Sequence, residues 1–293
     1  MRYRVRHSTR YAYGSPVELA VHMVHLRPRP RPGQSVVSER IISTPPAARR
    51  QDGQDHFGNL VTWLFLDLPH ADFEVVSEAT IDVSGPPVPV AAATQAWENV
   101  VEAARGPGGW QAVEFAFPTN LAPLNAATKA YAAASFPRGR PVLEGVLDLN
   151  DRIYREFRFR SGVTGIHTTV AQVMDRREGV CQDFTHVMIS ALRGLGLPAR
   201  YTSGYIRTRP PSGQKRRLGS DQSHAWVGCW LGPQHGWVEV DPTNGIVVAQ
   251  EHVLLGWGRD FSDVSPVRGV ILGGGDHSVA VGVDLEPVED DAA

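Results

Sequence analysis

Two cysteines stand among 293 residues, against 11 histidines. Cys181 follows Gly179-Val180 and precedes an apolar series of Phe184, Val187, Met188, Ala191, Leu192 and Leu195. That spacing predicts a helix with one buried face, closed by Gly194–Gly196 and Pro198. Cys181 falls three positions before Phe184, on the inward side of the first turn. There the unpaired backbone N–H groups and the positive end of the helix dipole favour a thiolate. The same N–H groups can receive a carbonyl oxygen turning into an oxyanion, and Gly179 lets the backbone approach the helix start closely. The chemistry on offer is nucleophilic attack by sulfur. Burial alone is the plainer role for a cysteine, so the reading requires a base.

His224 supplies one. It opens an apolar run, Ser223–Leu231, which a loop at 232–235 separates from a second run ending at Asp241. A hairpin with Leu231 opposite Gly236 places Asp241 opposite Trp226 and His224 opposite Thr243. His224 and Asp241 then become diagonal neighbours on one face, within side-chain reach. An aspartate so placed takes the ring N–H, fixes the tautomer and favours the imidazolium. Asn244 is a second candidate for that orienting role, since Cys-His-Asn sets exist, although the hairpin places it past the strand end. Cys229 alternates with His224 and should face the core. No histidine is spaced with a cysteine as paired ligands, so no metal and no cofactor are expected.

These residues need elements to hold them. Residues 1–85 read as short antiparallel strands, Tyr3–Tyr13, Glu18–Leu26, Val36–Thr44, Leu60–Leu68 and a period-2 stretch from Phe73 to Val83. They predict a small β-sandwich or barrel without visible chemistry. Residues 86–140 read as a linker or connector with Ala-rich helices near 91–104 and 124–135. From 141 to 285 an α+β core is expected. Leu143, Val146, Leu147, Ile153, Tyr154 and Phe157 mark a helix, and strands follow at Ala199–Ile206, Ser223–Leu231 and Trp237–Asp241. Residues 286–293 read as a frayed acidic tail. The basic segment 207–222 is read either as a solvated loop or as an overhang favouring acidic substrates. Trp226, Trp230 and Trp237 either pack or wall the cleft.

Composition bounds the partners. Hydrophobic residues make up 42%, charged residues 20%, and the formal charge is −2. That balance excludes global disorder and lacks the basic footprint of a nucleic-acid binder. No run approaches the roughly 20 apolar residues of a membrane span, and the charged start, Met1–His7, lacks the apolar run of a signal peptide. Two cysteines 48 positions apart make no disulfide framework. A soluble protein of the reducing cytoplasm is expected; nothing sets its oligomeric state.

Gly179-Val180-Cys181-Gln182-Asp183-Phe184, Ser223-His224-Ala225-Trp226 and Trp237-Val238-Glu239-Val240-Asp241-Pro242-Thr243-Asn244 together resemble the bacterial transglutaminase-like family. Its members are relatives of the transglutaminases, many regarded as cysteine proteases. The order Cys, His, Asp and the spacings of 43 and 17 residues fit its core. The likeness extends to Gly196–Tyr201, Ser203–Tyr205, Gly258–Phe261 and Asp263–Pro266, and Phe57-Gly58-Asn59 resembles the β domain that precedes the core. Gly228-Cys229 departs from the pattern, where relatives carry a carboxylate and an apolar residue. The resemblance implies a papain-like fold, with a nucleophile helix packed on an antiparallel sheet. It also implies Cys181 as nucleophile, His224 as base and then acid, and Asp241 as orienter. The implied reaction is acyl transfer from an amide of a protein or peptide through a thioester. Hydrolysis is the first expectation, with amine transfer or a non-catalytic binding module as alternatives.

Overall fold

The computed structural model describes residues 1–165, 168–207 and 223–288. The chain opens with β1 (Arg2–Val24), β2 (Gln34–Thr44), β3 (Arg49–Gln54), β4 (Leu60–Leu66) and β5 (His70–Val83). Tyr3, Val5, His7 and Thr9 of β1 are buried while their neighbours face outward, the alternation of a strand with one wet face. β1 is one 23-residue strand rather than the two expected. Gly14-Ser15-Pro16 bends it without breaking it, and its pairing with β5 shifts register between Ala12 and Val17. Its first half runs between β5 and a C-terminal strand, and its second half pairs with β4.

The connector carries α1 (Trp97–Arg105) and α2 (Ala126–Ala133), followed by α3 (Val142–Glu156) and the short β6 (Arg158–Phe159). Next come α4 (Val170–Arg176), β7 (Glu178–Gly179) and α5 (Cys181–Gly194). A capping box between Thr169 and Gln172 starts α4, a helix too short for its periodicity to be read in advance.

The second sheet has the order β11-β10-β9-β8-β12, with β8 (Ala199–Ile206), β9 (Ser223–Trp230), β10 (Trp237–Asp241), β11 (Ile246–Val247) and β12 (His252–Gly258). All its pairings are antiparallel. α5 buries Phe184, Val187, Met188, Ala191 and Leu192 in one core with Ala199, Tyr201, Val227, Cys229 and Val240. The fold is therefore α+β, the helix that Cys181 opens packed on an antiparallel sheet behind a β-rich unit.

The C-terminal segment departs from expectation. β13 (Val267–Gly273) and β14 (His277–Val288) leave the second sheet and pair with β1. The stretch 141–285 is thus not one continuous core. Val283 and Leu285 of β14 are fully buried beside Tyr3 and Val5. Nor are residues 286–288 frayed: Glu286, Pro287 and Val288 sit opposite Arg4, Tyr3 and Arg2, and the rest of the expected tail, 289–293, lies outside the described residues. Backbone pairing along β1 and burial of alternate side chains outweigh the solvation of a few acidic residues.

The two sheets meet at β12, the edge of the second. The Gln34 side-chain amide donates to Leu254 O at 2.8 Å and accepts from Leu254 N at 2.8 Å. Asn59 does the same for Trp257, at 2.7 and 2.9 Å. Two side-chain amides thus satisfy an edge that would otherwise present unpaired backbone groups.

Candidate active site

Cys181 is the first residue of α5, half-buried and free. The Asp183 carboxylate closes the helix start, accepting from the Val180 N–H at 2.7 Å and from the Thr164 hydroxyl at 2.7 Å. A Cβ on Gly179 would lie 2.8 Å from Asp183 Oδ2, so the glycine makes room for that cap. Burial raises the proton affinity of the Asp183 carboxyl, and these two donors oppose the shift.

The hairpin adopts the predicted register: Trp237 faces Trp230, Val238 faces Cys229 and Val240 faces Val227. His224 Nε2 lies 2.7 Å from Asp241 Oδ2, with His224 8% and Asp241 0% exposed. The other carboxylate oxygen accepts from the backbone N–H groups of Thr243 and Asn244 at 2.9 and 3.3 Å. Asn244 Nδ2 donates to Asp241 Oδ2 at 2.6 Å and stands 3.4 Å from His224 Nε2. Two nitrogen donors cannot bond to one another, so the carboxylate takes the ring proton and the amide of Asn244 supports the carboxylate.

Burial opposes a charge on His224, but hydrogen bonds to Asp241 and Cys181, and their charges, overcome it and raise its pKa to about 10. Burial likewise favours neutral Asp241, yet hydrogen bonds from His224 and His252 hold it well below the usual carboxylate range. With Nε2 committed to Asp241, Nδ1 is the nitrogen left to face the thiol. The three residues singled out in the sequence thus meet, from a helix start and two adjacent strands. Cys229 is fully buried on the opposite face, where burial pushes its thiol up to about 12.

Spacing did not reveal three further features. His252, at the start of β12, places Nε2 3.2 Å from Asp241 Oδ2. His224, Asp241 and His252 offer ligand atoms within 4.8 Å of one another, near enough for a metal. Separations of 2.7 and 3.2 Å to one oxygen are those of hydrogen bonds, and the group is a carboxylate bonded by two imidazoles.

The second feature is Glu239, buried two residues before Asp241. Its carboxylate takes Arg31, Arg200 at 3.0 Å and the Trp226 indole N–H at 3.0 Å. Trp226 in turn lies edge-on to His252, 5.2 Å between centroids. Arg200 is stacked between Trp237 and Trp257, 4.5 and 3.8 Å from their ring centres. Gly228, the departure from the family pattern, lies under this guanidinium: a Cβ there would be 2.7 Å from Arg200 Nε. The structure therefore separates the tryptophans, with Trp226 behind the site and Trp237 stacked on Arg200.

The third is a cavity of about 700 Å³ lined by Arg29, Arg31, Trp110, Arg200, Trp237 and Trp257 among others. It lies between loops of the N-terminal unit, the connector and the second sheet, and Cys181 is not among its lining residues. Residues 208–222, the bulk of the basic segment, lie outside the described residues. No helix among the described residues is long and apolar enough to cross a membrane.

Comparison with known proteins gives a consistent frame. Residues 3–82 match the model of the bacterial transglutaminase-like N-terminal region, and residues 129–242 that of the transglutaminase-like superfamily. An uncharacterized protein of Mycobacterium tuberculosis is 41% identical over 300 residues, covering 99% of this chain and 94% of that one. A second, from Mycobacterium leprae, is 30% identical over 284 residues, 97% and 98% of the two chains. A protein-glutamine gamma-glutamyltransferase of Pseudomonas aeruginosa is 38% identical over 104 residues, 33% of this chain and 15% of that one. A crystal structure of a proposed cysteine protease from Cytophaga hutchinsonii superposes with a TM-score of 0.74 at 22% identity, covering 100% and 92%. That likeness is one of fold.

Proposed function

The chain belongs to the transglutaminase-like superfamily, and from that premise we propose a cysteine-dependent acyl-transfer enzyme acting on an amide of a protein or peptide. The observation that carries this reading is the 2.7 Å bond between His224 and Asp241 beside the Cys181 thiol. The Cys181 thiolate attacks the amide carbonyl carbon. Backbone N–H groups of the first turn of α5, left unpaired by helix geometry, receive the developing oxyanion. The His224 imidazolium gives its proton to the departing amine as the C–N bond breaks, leaving a thioester. An acceptor then loses a proton to His224 and takes the acyl group, and the thiolate–imidazolium pair is restored. Asp241 holds the imidazole and balances its charge throughout.

Water as acceptor is the simpler reading, because it needs no second binding site. Amine transfer is the second reading, favoured by the name of the Pseudomonas relative that matches over 104 residues. Two free cysteines suit a reducing compartment, and we place the protein in the cytoplasm on that ground. Exposure to a mixed peptide pool, followed by acid quench and mass spectrometry, should find an acyl adduct on Cys181 that Cys181→Ala lacks. Adding a primary amine separates the readings, since only transfer yields amine-linked product. A chain that binds peptides but never carries an adduct would be a binding module instead.

A further inference from the structure

We propose that His252 is a positioning residue of this site, a second imidazole that holds Asp241 in the orientation His224 requires. The inference rests on the catalytic reading above. His252 is fully buried, and its Nε2 donates to Asp241 Oδ2, the same oxygen that His224 binds. Oδ1 is held by two backbone N–H groups, whereas Oδ2 depends on the side chains of His224, Asn244 and His252. Asn244 belongs to the turn after β10. His252 comes from a separate strand, anchored on β8 by the pairing of His252 with Ile206.

Nδ1 of His252 is buried and has no hydrogen-bond partner among the described residues. A histidine kept there only to fill space carries that unsatisfied nitrogen to no purpose, because an apolar side chain of similar size would avoid its desolvation cost. The bond from Nε2 to Asp241 is the compensating interaction. The ring is also fixed from behind: Trp226 meets it edge-on, and Glu239 holds the Trp226 N–H at 3.0 Å. β12 itself is tied to the N-terminal sheet through Gln34 and Asn59. The N-terminal unit thereby fixes the strand that bears His252, and His252 fixes the carboxylate.

Without this donor, Oδ2 is free to turn toward Asn244, the imidazolium loses part of its counter-charge, and the thiolate loses part of its partner. The test is the rate of Cys181 alkylation by iodoacetamide as a function of pH, which requires no knowledge of the substrate. Cys229 is fully buried and does not compete. His252→Leu should cut the rate at pH 6 about tenfold relative to the wild type, because a carboxylate turned away from His224 Nε2 stabilises the imidazolium less. His252→Gln, whose amide nitrogen reaches the position of Nε2, should stay within about threefold of the wild type. His252→Asn, whose amide ends short of Asp241, should follow the Leu variant. If His252→Leu fails to fold, the contrast between Gln and Asn decides. Equal profiles for Gln and Asn, or a wild-type profile in the Leu variant, would overturn the proposal even if Tm falls. Failure of the catalytic reading looks different: the wild type itself would then alkylate like an ordinary thiol, and His224→Ala would change nothing.

Discussion

Asp241 Oδ2 stands 2.7 Å from His224 Nε2, in a pocket where neither side chain is more than a tenth exposed. The bond sets opposite pH dependences for its two partners. The raised His224 pKa contributes stability that is complete below its unfolded value near 6.5 and is lost as pH rises through about 10. Depressed Asp241 contributes stability that is present above its unfolded value near 3.9 and is lost as pH falls through its folded one. Thermal stability of the wild type should therefore fall between about pH 6.5 and 10 more steeply than that of Asp241→Asn. Parallel curves in that range would remove the ion pair from the account.

On the proposed reading the same bond governs the reactivity of Cys181. Asp241→Asn keeps the volume but withdraws the charge, and a neighbouring opposite charge shifts a titration by about one to three pH units. Cys181 alkylation at pH 6 should fall about tenfold to a hundredfold. Asn244→Ala, which removes a donor to the carboxylate and no charge, should cost less than about fivefold. The reverse order would make Asn244 the orienter.

Asp183 caps α5 through hydrogen bonds, and burial works against its charge. Asp183→Ala should cost about 1 kcal/mol, a fall in Tm of roughly 2–4 °C. Asp183→Asn retains an oxygen for Val180 and Thr164 and should lie within about 0.5 kcal/mol of the wild type. An Asn variant as weak as Ala would show that the charge, acting on the helix dipole, matters more than the acceptor.

Gly228 makes space for Arg200. Gly228→Ala should destabilise by about 1–3 kcal/mol through overpacking, because the two flanking tryptophans and Glu239 keep Arg200 from yielding. In an Arg200→Ala background most of that cost should vanish. A double-mutant cycle from urea unfolding reads the coupling directly, and additive costs would break the assignment.

Removal of residues 267–293 should damage the N-terminal sheet, since β13 and β14 both pair with β1 and Val283 and Leu285 lie in its core. Hydrogen exchange should show lost protection in β1, or the product should be insoluble. Unchanged protection there would mean that the C-terminal strands are accessory.

Much of the site was legible because its parts are local. Helix periodicity placed Cys181 in the first turn of α5, and a four-residue loop set the hairpin register that joins His224 to Asp241. Spacing misled where two strands, ending at Tyr13 and starting at Glu18, were expected: β1 continues through Gly14-Ser15-Pro16, tied there to Asp276 and Gly274 by the N–H groups of Gly14 and Ser15. The strands beyond Asp263 were not foreseen, since their partners lie more than 240 residues earlier in the chain.

The sequence by itself determined the helix that begins at Cys181, the hairpin and the α+β class, because repeat spacing and short loops constrain contacts within and between neighbouring elements. The tertiary structure alone decided that β14 closes on β1, that Arg200 lies over Gly228, and that His252 meets Asp241. Such contacts join distant strands, and spacing along the chain carries no record of them. They exist because pairing within a sheet brings together strands that the chain separates: β14 beside β1, β9 beside β8, and β12 on the other edge of β8.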